Sequence, residues 1–272
     1  MNKVFAAPVG DAAGDVLPGT VAGAPAAPDR VNPRAQNPAD IPIAFPPTSE
    51  FARLSAAARE ALFKGLTVRS YGANDFIYLQ DDEAEHLYFV RSGHIRLSYL
   101  LEEGSAILYG ILPRGESFGE LGIFEHGPHS DTATAVGDVT LASVSAAQFR
   151  ALTDRYPEIG VAVGRVVARR YRSHLALTRM LSLKTLSARL AQALLRLADG
   201  LGTHVKVNGK AVPCIGPMVT QTDLGLMARG ARGNVNRALK GWERTGWIAM
   251  VDRSIAILDR SRLERLSFED GL

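Results

Sequence analysis

The sequence predicts an α+β fold in which two domains are joined by one long helix. Residues 68–145 alternate apolar and polar side chains in short runs interrupted by glycine, which is typical of an antiparallel sheet. In residues 157–182 the apolar positions step by three and four, with no Gly or Pro after Gly164. Residues 220–248 have the pattern of two short helices and a strand. A chain of 272 residues is long enough for two domains with separate cores.

Residues 1–47 are predicted to be a disordered tail. They are rich in Ala, Gly and Val and hold 9 of the 14 prolines: Pro8, Pro18, Pro25, Pro28, Pro33, Pro38, Pro42, Pro46 and Pro47. Such a segment cannot bury enough apolar surface to offset the entropy that is lost when it becomes ordered.

The first domain is predicted over residues 48–156, as one helix followed by a small antiparallel barrel or jelly roll. The helix covers residues 49–65, where apolar side chains have helical spacing: Phe51, Leu54, Ala58, Leu62 and Phe63. Strands are predicted over residues 86–91, 95–101, 106–112 and 140–145. Ser92-Gly93 and Glu103-Gly104 are interpreted as tight hairpin turns between them.

The long helix is predicted over residues 157–183, beginning at Pro157, a residue that suits the first position of a helix. Its apolar stripe consists of Ile159, Val163, Val166, Val167, Tyr171, Leu175 and Leu181. A helix of this length needs a partner surface, and the first domain can cover only part of it. The prediction is a homodimer in which two copies of this helix pack together.

The second domain is predicted over residues 184–272, as a winged helix. A helix over residues 185–199 ends at the glycines 200 and 202, and a hairpin follows with its turn at Asn208-Gly209. A second hairpin, formed by residues 247–251 and 255–258 around Asp252-Arg253-Ser254, is the predicted wing.

The two helices between these hairpins have the features of a DNA-reading helix-turn-helix. Thr220 and Asp223 form an approximate capping box before the first helix, and Arg229-Gly230-Ala231 forms the turn. In the second helix, residues 232–244, Val235, Leu239 and Trp242 belong to the core. Arginine suits a guanine edge, asparagine suits adenine or phosphate, and lysine suits phosphate. The candidate DNA-binding residues are Thr220, Gln221, Arg232, Asn234, Asn236, Arg237 and Lys240.

The charge distribution agrees with a nucleic-acid partner. Residues 182–272 carry 14 Lys and Arg against 8 Asp and Glu, a net charge of +6, whereas the rest carries 17 against 20. A basic domain behind a slightly acidic one is the electrostatic pattern expected of a DNA-contact surface.

From about Phe51 to Leu266 the chain resembles the CRP/FNR family of regulators, in which a cyclic-nucleotide-binding jelly roll precedes a dimerisation helix and a winged helix-turn-helix. The family's reading helix carries Arg-Glu-x-Val-x-Arg, and residues 232–237 here are Arg-Gly-Asn-Val-Asn-Arg. The resemblance implies that Arg232 and Arg237 read guanine. Gly233 replaces the glutamate that reads cytosine, so an altered or relaxed operator preference is expected.

Residues 114–122, Arg-Gly-Glu-Ser-Phe-Gly-Glu-Leu-Gly, resemble the family's phosphate-binding cassette. The resemblance carries over Gly119, Glu120, Leu121 and Thr132 as effector contacts. It places Asp131 where the family has the arginine that holds the cyclic phosphate, and His174 at a base-contacting position. Losing a charged hydrogen bond costs about 1.5–3 kcal/mol, and a carboxylate beside a phosphate adds repulsion. Cyclic AMP in the standard pose is therefore disfavoured.

Three hypotheses for the effector site remain open at this point: another nucleotide such as a cyclic dinucleotide, no ligand at all, or a substitute arginine such as Arg96 or Arg114. A rival for the whole chain is a nucleotide-sensing interaction module without specific DNA binding. The expected partners are double-stranded DNA, a second copy of the chain and RNA polymerase.

Other classes find little support in the sequence. No run of 18 apolar residues or secretory signal is present, so the chain is expected in the cytoplasm without a membrane partner. No enzyme motif is recognisable, and a single cysteine, Cys214, provides no intramolecular disulfide. The polar loop with Glu125, His126, His129 and Asp131 is interpreted as solvated, so no metal or certain cofactor is expected.

Overall fold

The computed structural model describes residues 45–47 and 49–269, with side chains as far as residue 267. The predicted disordered tail lies outside this range except for residues 45–47. For these three residues the prediction was wrong, because Phe45 packs on the first domain with its ring centroid 5.3 Å from that of Phe51 and 5.6 Å from that of Phe89. One aromatic side chain is enough to attach a proline-rich segment to a core.

The first helical segment is divided rather than continuous. A short 3-10 helix, Glu50–Arg53, precedes α1, Ala56–Lys64, whereas the sequence predicted one helix over residues 49–65. Leu54 is extended, with φ −65° and ψ 146°, and the Ser55 hydroxyl accepts the Ala58 amide at 3.2 Å to cap α1. An N-capping serine within the apolar pattern therefore starts a new helix.

The sheet of the first domain has six antiparallel strands, β1 Thr67–Tyr71, β2 Phe76–Tyr78, β3 His86–Leu100, β4 Ala106–Leu112, β5 Ser117–Phe118 and β6 Thr132–Ser145. The main order is β1-β6-β3-β4, with β2 paired to β6 and β5 paired to β3. The predicted turn at Glu103-Gly104 is confirmed, since it joins β3 to β4 and Gly104 has φ +82°.

The predicted hairpin turn at Ser92-Gly93 is wrong, because β3 continues through it. Both halves of β3 pair with β6, and the register shifts on either side of Ser92. Gly93 has φ +78°, and a Cβ there would lie 2.5 Å from the carbonyl oxygen of Asp138. The glycine therefore permits a bulge and a close approach of two long strands, which sequence spacing alone cannot distinguish from a turn.

The long helix is confirmed as α4, Pro157–Leu181, and two short helices, α2 Glu120–Glu125 and α3 Ala146–Arg155, precede it. Ile159, Val163 and Val166 are buried against the first domain. Tyr171 and Leu175, which the sequence placed on the same stripe, are 64% and 44% exposed. These two side chains of the predicted stripe therefore face away from the first domain.

The second domain packs around α5, Leu186–Leu201, which continues through Gly200 and ends at Gly202, a cap with φ +61°. Its four strands are β7 Thr203–Val207, β8 Lys210–Ile215, β9 Ile248–Val251 and β10 Ser254–Ile257, in the order β7-β8-β10-β9. The helix-turn-helix consists of α6 Gln221–Ala228 and α7 Arg232–Arg244. A last helix that the sequence pattern did not predict, α8 Arg260–Glu269, packs against α5.

The predicted wing is β9 and β10, joined by a two-residue turn rather than three. Asp252 and Arg253 occupy it with φ +47° and +62°, and Ser254 already pairs with Val251. None of the described helices combines the length and hydropathy that crossing a bilayer requires.

Candidate nucleic-acid interface and effector site

The helix-turn-helix is fixed by a capping box and by one close contact between two glycines. The Thr220 hydroxyl accepts the Asp223 amide at 3.1 Å, and the Asp223 carboxylate accepts the Thr220 amide at 2.7 Å. Arg229 ends α6 in the left-handed region, with φ +51°. A Cβ on Gly225 would lie 2.5 Å from the Gly230 carbonyl oxygen, so glycine lets the turn close against α6.

Helix α7 has one buried face and one exposed basic face. Val235, Leu239 and Trp242 are buried, as the spacing predicted. The outward face carries Arg232, Gly233, Asn234, Arg237 and Lys240, which are all exposed, and the half-buried Asn236. An exposed polar face on the second helix is the arrangement that a major-groove reader requires.

Two hydrogen bonds organise this face. Arg237 donates to the side-chain carbonyl of Asn234, one turn earlier. The Gln221 amide donates to the Asn236 side-chain carbonyl at 3.3 Å and so connects the start of α6 to α7. Thr220 and Gln221 thus lie at the end of α6 that is close to α7, and Asn236 is oriented before any DNA arrives.

Within the cassette, Gly119 is the N-cap of α2, with φ +80°. A Cβ on Gly119 would lie 3.0 Å from the His86 carbonyl oxygen and 3.3 Å from the His129 ring, so the turn is tightly enclosed. Glu120, the next residue, is fully buried, while Leu121 is half-buried. The glycine therefore directs a carboxylate into the domain rather than toward solvent.

The buried Glu120 carboxylate pairs with Arg170 of α4. Nη1 of Arg170 donates to both carboxylate oxygens, at 2.7 and 2.9 Å, and Nη2 donates to the Ser117 carbonyl at 2.6 Å. Burial raises the pKa of Glu120, and the adjacent guanidinium opposes that shift. The sequence analysis did not assign Arg170, because its partner lies 50 residues away and no local pattern records such a pair.

Asp131 is buried and hydrogen-bonded rather than facing an open phosphate site. The Tyr78 hydroxyl donates to one carboxylate oxygen at 3.0 Å, and the Tyr109 hydroxyl donates to the other. Burial, followed by the charge of Asp131, raises the pKa of both tyrosines well above 10. The His129 ring stacks on Tyr78 with centroids 3.5 Å apart. Tyr78 and Tyr109 were not predicted, since they come from different strands. The interpretation of His129 and Asp131 as part of a solvated loop was wrong, because both side chains are buried against these tyrosines.

Two further residues that the sequence analysis predicted as effector contacts, Thr132 and His174, have polar partners within the chain. Thr132 accepts the Gln80 amide at 3.0 Å, and the Tyr99 hydroxyl lies 3.1 Å from Nδ1 of His174. Burial and then the Arg170 charge lower the pKa of His174, so its ring is neutral near pH 7. His174 therefore lies beside Tyr99 of β3 and Tyr109 of β4.

The arginines considered as substitutes have other roles in the structure. Nε and Nη2 of Arg96 bind the two carboxylate oxygens of Asp223 at 2.7 and 3.1 Å, which links β3 to the capping box of α6. Arg114 is exposed. Arg170 is the arginine that enters the cassette, and it binds Glu120.

Metal-ligating side chains do not gather in the part of the chain that the structure describes, where no group of three or more His, Cys, Asp and Glu has suitable geometry. His126 instead lies 3.2 Å from Nη1 of Arg150, and His129 is held by Tyr78.

Comparison with known proteins defines the class of this chain and then its family. The family model of the cyclic nucleotide-binding domain matches residues 68–156, and that of the Crp-like helix-turn-helix domain matches residues 188–266. The chain is therefore a regulator with an effector-type β domain and a DNA-binding-type helical domain. It belongs to the CRP/FNR family of transcription regulators.

The chain matches individual relatives over nearly the whole length of each relative. The CRP-like cAMP-activated global transcriptional regulator of Mycobacterium tuberculosis is 29% identical over 215 residues, which are 79% of this chain and 94% of that protein. The structure of FixK2 from Bradyrhizobium japonicum has a TM-score of 0.63 at 25% identity, covering 74% of this chain and 96% of that one. TTHB099, a CRP-family regulator from Thermus thermophilus, has a TM-score of 0.60 at 27% identity and the same coverage.

Proposed function

We propose that this protein is a dimeric, sequence-specific DNA-binding regulator in which α7 reads base edges and the wing contacts the backbone. One observation carries the proposal: Arg232, Arg237 and Lys240 share the exposed face of a helix that is fixed behind a capped α6. Arginines in this position can bind guanine edges in the major groove, and the exposed Arg253 at the tip of the wing can reach a phosphate. A role at DNA implies action in the cytoplasm.

The dimer is supported by an unpartnered stripe on α4. Val161, Tyr171 and Leu175 are 54%, 64% and 44% exposed. At 100° per residue they fall within an arc of about 80°. Gly164 and Ala168 are also exposed within this arc, and small residues there allow two helices to approach closely. A second copy of α4 is the occupant that fits, because it would present the same apolar stripe on a two-fold axis.

A two-fold dimer would present two copies of α7 to successive major grooves. Two half-sites one helical turn apart then form a palindromic operator. Gly233 supports a preference that differs from the family's usual half-site, since the position offers no side chain to a base. RNA polymerase is a further partner that we propose for a regulator of this kind.

The DNA test compares one arginine that should contribute to operator binding with one that should not. Operators selected from random sequence are titrated at several salt concentrations with wild type, Arg237→Ala and Arg265→Ala. Arg237→Ala should weaken operator binding by about 1–3 kcal/mol and relax the selected sequence. Arg265→Ala removes the same charge from the exposed surface of α8 and should leave the selected sequence unchanged. Equal effects of the two variants, or no selected sequence at all, would favour the interaction module without specific DNA binding.

For the effector site we propose that cyclic AMP does not bind in the family's standard pose. Glu120 is already paired with Arg170, and Asp131 already accepts two tyrosine hydroxyls, so a cyclic phosphate would meet a carboxylate and displace existing bonds. A cyclic dinucleotide that approaches differently, or no ligand, is compatible with these contacts. Calorimetric titration with cyclic AMP tests this directly, and micromolar binding would contradict it.

A further inference from the structure

A cavity of about 290 Å³ lies where α4, α5, β4 and α6 meet, and Glu116 of the cassette also lines it. Its walls include apolar side chains from all four elements, among them Val166, Leu197, Ile111 and Met227. At roughly 30 Å³ per water, the volume equals that of about ten waters. It is therefore large enough for a small organic molecule and connects the effector domain to the helix-turn-helix.

The polar part of this cavity contains three arginines, of which two are neutralised. Arg169 pairs with Glu116 at 2.8 Å, and Arg170 pairs with Glu120. Arg196 of α5 has no carboxylate within ion-pair distance among residues 45–47 and 49–267, whose side chains the structure describes. The cavity wall thus retains one uncompensated positive charge.

The geometry of Arg196 leaves a donor without an acceptor. Nη2 donates to the Ser173 hydroxyl at 3.1 Å and to the Ser173 carbonyl at 3.3 Å. Nη1 is buried and has no hydrogen-bond partner within the described part of the chain. Burial lowers the pKa of Arg196, yet a guanidinium stays charged at any physiological pH. A buried charge without a partner is costly in a folded protein, so a bound anion would relieve that cost.

We propose that this interdomain cavity binds a small monoanionic organic acid, with its carboxylate on Arg196 and its apolar body against Ile111, Leu197 and Met227. One negative charge balances the one unpaired guanidinium. Because the Ser173 hydroxyl accepts from Arg196, its own hydrogen is free to donate to the same carboxylate. The apolar wall favours a hydrocarbon body over an inorganic anion.

The site offers a route for regulation through Arg196 of α5 and Met227 of α6. The bound acid would touch α4, α5 and, through Met227, the first helix of the helix-turn-helix. Any difference in its affinity between the free and DNA-bound arrangements of that helix would shift the balance between them. Binding of the acid itself does not depend on the proposed DNA function.

The test uses hexanoate as the probe, titrated calorimetrically into the full chain. Hexanol and inorganic phosphate serve as the neutral and the non-apolar controls. Hexanoate should bind at least about tenfold more tightly than either control, and Arg196→Gln should weaken it by about 10- to 100-fold. Arg172→Gln, an exposed arginine of α4, should bind like wild type. Ser173→Ala gives a second, milder variant, with an expected loss of about 3- to 10-fold.

The proposal is overturned if hexanoate binds Arg196→Gln and wild type equally, or if neither anion binds below about 10 mM. Equal binding of hexanol would show a purely apolar cavity and would also overturn it. Arg237→Ala separates this proposal from the DNA function, because it should lose operator binding and keep hexanoate binding. Thermal melts confirm that each variant is folded before it is titrated.

Discussion

Replacing Arg170 with methionine should destabilise the protein strongly, because it leaves Glu120 buried without its partner. The side chain of Glu120 is 0% exposed and that of Arg170 is 11% exposed, so solvent screens the pair very little. Removing one member of a buried pair costs about 3–5 kcal/mol. For a chain of this size, about 2–4 °C of Tm corresponds to 1 kcal/mol, so Tm should fall by about 6–20 °C.

The assay is thermal and urea unfolding of Arg170→Met, Glu120→Gln and the double variant at pH 7 and pH 5. The double variant should be more stable than Arg170→Met, because a neutral amide replaces the unpaired carboxylate. Burial raises the pKa of Glu120, so the folded Arg170→Met protein takes up a proton on this carboxyl as pH falls. The protonated carboxyl carries no charge, so the cost of leaving it unpaired decreases. The loss in Arg170→Met should therefore be smaller at pH 5.

Arg169→Met is the matched control, because it removes an arginine from the neighbouring position whose pair with Glu116 is partly exposed. Its side chain is 39% exposed, and a pair of this kind contributes about 0–1 kcal/mol. If Arg170→Met lost no more stability than Arg169→Met, the claim that the cassette is held together by its own buried ion pair would be refuted.

Three further predictions concern the proposed dimer, α7 and pH. Leu175→Glu should convert the dimer to monomers in sedimentation, because it places a charge in each copy of the α4 stripe, whereas Leu258→Glu, equally exposed at 41%, should remain dimeric. Gly233→Glu should raise stability by about 0.5–1 kcal/mol, since no atom lies within 4 Å of the new Cβ and an acidic residue suits a helix start. It should also shift the selected operator toward the family's usual half-site, and an unchanged operator would argue against base reading at this position. Burial lowers the pKa of His129 and His174 below 6.5, so below that pH the unfolded state binds more protons than the folded state. The free energy of unfolding should therefore fall as pH drops below about 6.5, by at most about 1.4 kcal/mol per pH unit for each histidine. Glu120 opposes this trend closer to pH 4.5, and a stability that stayed flat from pH 7 to pH 5.5 would contradict the histidine assignment.

The elements that the sequence predicted well are those specified by local signals. The bounds of α6 and α7 follow from a capping box, a left-handed residue and a three-and-four apolar repeat, all within 25 residues. Helix α4 follows from its proline start and the absence of breakers. The error at Gly93 shows the limit of such signals, because a glycine in a turn and a glycine at a bulge look alike until the partner strand is known.

By itself, the sequence determined the class of the protein: a β-rich domain, a long helix and a basic winged helix, with Gly119, Glu120 and the two α7 arginines in recognisable motifs. The tertiary structure decided what those residues do to one another. The pairs Glu120 with Arg170 and Arg96 with Asp223, the tyrosines on Asp131 and the unpaired Arg196 all join residues that are distant in the chain. The physical reason is that local propensity acts over a few neighbouring residues, whereas burial and charge pairing depend on which surfaces the fold brings together.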